Sequence, residues 1–167
     1  PLGLVLYLSA RINKMSANAA RTTFFTYSGI MGFSLSYILL VFTQESIVTT
    51  FLVTSASFGA LSLYGYTTKK DLSGMRSFLL MGLFGIILAS IVNIFMASAA
   101  MHFAISVIGV LLFAALTAYD TQAIKQMYYA GDTREIAEKK AVLGALRLYL
   151  DFVNMFLFLL QFLGNRD

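Results

Sequence analysis

Residues 101–124 read MHFAISVIGVLLFAALTAYDTQAI, and residues 141–163 read AVLGALRLYLDFVNMFLFLLQFL. Each run is about the length that a helix needs to cross a bilayer, roughly 20 mostly apolar residues. Each also carries an aspartate, Asp120 near the end of the first and Asp151 in the middle of the second. An ionised carboxylate at the bilayer centre costs about 2.5–3.5 kcal/mol even on the insertion scale. Two of them, on helices consecutive in sequence, call for a partner, a proton or an ion pathway.

The rest of the chain fits the same setting. Of its 167 residues 59 % are apolar and 12 % charged, with a mean hydropathy of +0.79. A soluble domain is about 45–50 % apolar and 25 % charged, so a water-soluble surface is excluded. The sequence specifies a polytopic membrane helix bundle, all-α, with residues 1–167 as one domain. Without Cys there is no disulfide, thiolate nucleophile or Cys-ligated metal. The net charge of +4 is modest and points to no nucleic acid.

Five runs are long enough to span: Thr22–Phe42, Ser46–Tyr66, Ser77–Ala97, Met101–Tyr119 extending to about Ile124, and Ala141–Leu163. A shorter one, Leu2–Ala10, is expected to be the tail of a helix whose start is missing. Thr43-Gln44-Glu45 and Ser98-Ala99-Ala100 are expected as turns, Lys69–Gly74 as a polar loop, and Lys125–Lys140 as the longest connection. Arg11, Lys14 and Arg21 precede the first full span, and Lys69, Lys70 and Arg76 separate the second and third. Lys125, Arg134, Lys139 and Lys140 separate the last two. The two remaining connections carry no Lys or Arg, so the basic ones face the cytoplasm by the positive-inside rule. The C-terminus then lies outside, unless the last run re-enters. Small residues at Ser55 and Gly59, Gly82 and Gly85, Gly109, and Ser28-Gly29 with Gly32 suit close helix packing.

The intramembrane polar residues are few enough to weigh singly. If Asp120 and Asp151 meet, both cannot ionise cheaply in a low dielectric, and one proton is shared between them. Such a pair responds to pH and can meet a passing cation. Ca²⁺ favours oxygen ligands, but two carboxylates are too few for a tight cage, so a weak or transit calcium site is the natural form. Two blander readings compete. Asp120 could sit in the cytoplasmic interface near Gln122 and Lys125, and Asp151 could pair with Arg147 one turn earlier. Asn93 and Asn154 are expected to hydrogen-bond between helices. His102, at an outer boundary with no second His, is not a metal site. Tyr66 and Tyr128-Tyr129 fit an interfacial belt.

Ala118-Tyr119-Asp120-Thr121-Gln122, followed by Leu148-Tyr149-Leu150-Asp151-Phe152-Val153-Asn154, resembles the paired signature of the transmembrane Bax inhibitor motif family. Lys69–Ser73, Asn93-Ile94-Phe95 and Ser106–Gly109 are similar to that family too, and the resemblance covers essentially the whole chain. It implies a seven-helix bundle with the last helix in the middle, of which this chain lacks the first helix and most of the second. It also implies a pH-sensitive calcium leak. Asp120 and Asp151 would be its pH-sensing pair, and Arg11 would be a gate partner that holds Asp120 in the closed state.

Two other classes stay open. Members of the same family are described as non-conducting regulators that bind other membrane proteins. Intramembrane aspartyl proteases place two aspartates on adjacent helices, one in a Tyr-Asp pair like Tyr119-Asp120. They also need glycines before the second aspartate, where this chain has Leu150. The sequence therefore reads as a calcium leak with no catalytic machinery and no cofactor. Its partners are the lipid bilayer and calcium ions, and its setting is a bacterial inner membrane.

Overall fold

The computed structural model describes residues 16–127, 131 and 133–164. Among these the chain is helical, with no strand: α1 (Ala17–Leu35), α2 (Ile38–Val41), α3 (Gln44–Thr67), a 3₁₀ turn (Ser73–Met75), α4 (Arg76–Met96), α5 (Ala99–Met127) and α6 (Arg134–Leu163). Leu2–Ala10, Arg11 and Tyr128-Tyr129 lie outside the described residues.

Local chemistry places the helix starts. Ser16, Thr43 and Thr133 sit in extended conformation, and each hydroxyl accepts a backbone N–H three residues on, from Ala19, Ser46 and Ile136. This is the N-cap arrangement, which satisfies a donor that the first turn leaves orphaned. The caps also move the boundaries. α3 begins at Gln44 and α5 at Ala99, so the two expected turns are largely helix. α5 runs on to Met127 and α6 starts at Arg134, so the expected Lys125–Lys140 connection is mostly helical as well. Hydropathy misses these ends because their polar residues continue a helix past the hydrocarbon. The first span is broken instead: at Ser36 the hydroxyl and the N–H both bond back to the Phe33 carbonyl, separating α1 from α2.

The bundle is arranged for lipid. Phe33, Leu40, Ile94 and Phe95 are each more than 70 % exposed, whereas Thr50, Thr54 and Thr117 are fully buried. Outward apolar and inward polar side chains invert the soluble pattern and follow from a solvent that cannot hydrogen-bond. Among the described residues five helical segments are long and apolar enough to cross a membrane, with α1 and α2 forming one of them. α6 is one unbroken helix of 30 residues, and no re-entrant bend interrupts it. It packs against α1, α3 and α5, and α5 packs in turn against α3 and α4. The last helix is therefore central, and the other helices pack around it and α5.

Glycines fix two of the close approaches. A Cβ on Gly65 of α3 would collide with the Ala118 carbonyl of α5, and one on Gly109 would lie 2.8 Å from the Phe158 ring. Gly82 is similarly close to Leu112. Gly29, Gly32, Gly59 and Gly85 meet nothing within 4 Å. The Ser55–Gly59 spacing thus marks no contact here, and Gly65, which no motif flagged, marks the tightest.

Candidate ion site

The extended helix ends bring the two aspartates level. Asp120 stands about two turns before the end of α5 and Asp151 about five turns into α6. The helices run antiparallel, so their carboxyl groups face each other within hydrogen-bonding reach. Asp120 is 8 % exposed and Asp151 4 %. Both carboxyl groups are therefore enclosed by the bundle rather than open at its surface. Arg147 acts on Asp151 by charge, but the direct ion pairs among the described residues are Arg21–Glu138 and Arg134–Glu138. The bland Arg147–Asp151 pair is not formed. One oxygen of Asp151, Oδ2, is buried without a hydrogen-bond partner. An unsatisfied buried acceptor costs about 1–3 kcal/mol and calls for a reason.

A cavity of about 400 Å³ adjoins the pair, between α4, α5 and α6. Arg76, Tyr119, Arg147, Leu150 and Asn154 share its wall with the two aspartates. Two arginines and two carboxyl groups therefore line one cavity. Sequence reasoning treated Arg76 as loop charge alone and missed its place in this wall. The signal was its position at the first residue of a span. Among the described residues no third His, Cys, Asp or Glu joins the pair as a metal ligand group. Two carboxylates suit a passing or weakly held cation.

The pair is backed by a clamp. Gln122, buried two residues after Asp120, accepts from the Leu72 N–H at 2.7 Å and donates to the Lys70 carbonyl at 2.8 Å. One amide side chain thus holds the 68–75 loop against α5. Nearby, Lys125 donates to the Tyr66 carbonyl and lies 4.7 Å over the Tyr66 ring. Asp71 in that loop accepts from the N–H and hydroxyl of Ser73, which hold its carboxyl below the ordinary value of 3.8. A depressed value stabilises the loop above about 3.8, and that contribution is lost as pH falls through the folded value. Asp71 therefore cannot respond to pH near neutrality.

The comparisons with known proteins cover the chain from end to end. The family described as "Inhibitor of apoptosis-promoting Bax1" matches residues 1–167. The chain belongs to this Bax1-inhibitor family. It is similar to the inner membrane protein YbhL of Escherichia coli K12, 52 % identical over 167 residues, which are 99 % of this chain and 71 % of that protein. An uncharacterized protein of Rickettsia prowazekii is 48 % identical over 166 residues, 99 % of this chain and 70 % of its own length. An uncharacterized membrane protein of Streptococcus pyogenes serotype M1 is 38 % identical over 164 residues, 98 % and 71 % respectively.

For this family member the structure also corrects the amides. Asn93 Oδ1 accepts from the Ser98 N–H and closes the end of α4. Asn154 Nδ2 donates to the Leu150 carbonyl of its own helix. Neither bonds between helices, because a backbone partner lies nearer than a neighbouring helix. His102 pairs with Gln161 at 3.1 Å, joining the outer ends of α5 and α6. Ser46, Thr50 and Thr54 recur every four residues, and all are buried along α3. That stripe was legible as a period of small polar residues within an apolar run.

Proposed function

We propose that this chain forms a pH-sensitive calcium leak in a bacterial inner membrane, gated by protonation of Asp120 and Asp151. The observation that carries the reading is the pair itself: two buried carboxyl groups face each other beside a cavity, with Asp151 Oδ2 unpaired. Two facing carboxylates in low dielectric hold one proton between them, so the charge that Asp120 can present to a basic partner depends on pH. Arg11 lies outside the described residues and remains the proposed gate partner. Its guanidinium stays charged at all relevant pH values, so only the aspartates can supply the switch. Acidification would neutralise Asp120, weaken an Arg11–Asp120 pair and open the cytoplasmic mouth. The inner-membrane setting draws on the name of the Escherichia coli relative. A non-enzymatic role is part of the proposal, and Leu150 beside Asp151 in the cavity wall favours it by crowding a substrate backbone.

The test is Ca²⁺ flux into proteoliposomes across a pH series. Flux should rise as pH falls. Arg11→Ala should raise the high-pH leak toward the low-pH level. A wild-type protein that is folded and carries no Ca²⁺ at any pH would sink the reading. It would favour instead a regulator that binds other membrane proteins, the reading closest to the family's own description.

A further inference from the structure

The aspartate cavity is one of two that α4, α5 and α6 wall. A second, of about 370 Å³, lies toward the outer ends of α4, α5 and α6. Its polar lining holds no Asp, Glu, Lys or Arg: Tyr37, Ser90, Asn93, His102, Ser106, Asn154 and Gln161. Asn154 is the residue that the two cavities have in common. It stands one helical turn beyond Asp151, on the same face of α6.

Its amide is oriented by chemistry. Nδ2 donates to the Leu150 carbonyl at 2.8 Å. A carbonyl only accepts, so the NH₂ end must point there and Oδ1 is left over. Below Asn154 lies the acidic pair, and above it lies a vestibule of amides and hydroxyls. Leu157 and Phe158 supply the apolar wall on the outer side, and Leu150 supplies it on the inner side. Between these apolar walls an amide oxygen is the polar group available to a cation that has shed part of its water. Carbonyl oxygens of this kind are standard Ca²⁺ ligands, and rings of them replace hydration shells in ion pathways.

We propose that Asn154 is the polar step of the pathway, its Oδ1 passing a partly dehydrated cation between the outer vestibule and the aspartate cavity. The proposal rests on the leak reading above. It adds an entrance, formed by Asn93, Ser106 and Gln161, and a single constriction residue.

Two measurements test it, both on the full-length protein. The first is Ca²⁺ flux in proteoliposomes. Asn154→Leu keeps the side-chain volume, suits an apolar helix and removes the oxygen. It should lower the leak at least roughly tenfold, the factor that about 1.4 kcal/mol of lost stabilisation gives. Asn154→Asp restores an oxygen ligand and should conduct. The second uses single cysteines on a background with every other Cys replaced, these 167 residues having none. Asn93→Cys and Asn154→Cys are exposed from the outer side to a small, charged, membrane-impermeant thiol reagent. Both should be modified, Asn154→Cys more slowly. Wild-type flux from Asn154→Leu overturns the proposal. So does an Asn154→Cys that stays unmodified while Asn93→Cys reacts. If the wild type carries no Ca²⁺, the leak reading fails, and modification at 154 still reports whether the two cavities join.

Discussion

The two cavities are similar in size, about 400 and 370 Å³, and opposite in character. The aspartate cavity gathers two aspartates and two arginines, while the other offers amides, hydroxyls and one histidine. α4, α5 and α6 wall both, and Tyr37, at the junction of α1 and α2, joins the lining of the second alone. A charge that is expensive in lipid is confined to one half, and the proposed pH response would belong there. The neutral half can accept or pass an ion without storing charge.

The largest expected effect breaks the charged half. Asp151→Asn is nearly isosteric and still hydrogen-bonds to Asp120, but it cannot ionise. Its flux profile across pH should flatten, whereas wild-type flux should change roughly tenfold for each 1.4 kcal/mol of differential protonation energy. His102→Gln is the matched change in the neutral half, and its profile should follow wild type. If His102→Gln flattens the profile and Asp151→Asn does not, the assignment of charge and function is reversed. Next comes packing. Gly65→Ala forces a methyl against the Ala118 backbone and should cost about 3 kcal/mol. Gly109→Ala meets only a ring that can shift and should cost less. Denaturation midpoints in detergent check the order, and equal costs would mean that the charged half is no more rigid than the neutral one. Gln122→Leu strands the Leu72 N–H and Lys70 carbonyl and should cost about 1–3 kcal/mol. The same measurement reads it, together with faster proteolysis of the 68–75 loop. The smallest effect is a gain. Ala97 closes α4 with φ at 50°, the left-handed region that favours glycine. Ala97→Gly should stabilise by about 0.5–1 kcal/mol, and a loss of stability would show that the turn is held by contacts instead.

The spans were legible in the sequence, and so were Asp120 and Asp151 as carboxylates costly enough inside apolar runs to announce themselves, but that the two meet was left open by their unequal depths and came only from the family resemblance. Helix ends were not legible. Hydropathy reports where lipid stops, whereas Thr133 and Thr43 report where backbone donors are capped, and the two differ by up to two turns at α6. The partners of Asn154 were also hidden, since periodicity gives a face but cannot say whether an amide turns to its own backbone. The break at Ser36-Tyr37 carried no Gly or Pro, the usual residues for such an interruption. The place of Arg76 and Arg147 in the cavity wall needed three helices at once, which a single run of residues does not encode.

Glu135 deserves a last look. Its carboxylate, in the first turn of α6, accepts the Ala17 N–H at the start of α1, and Arg21 binds Glu138 one turn further along. Two helix beginnings, each a partial positive pole, thus converge on one anion. α1 and α6 are moored at a common post. A shift of α1 at Ala17 would therefore be carried through that post to the helix that holds Asp151.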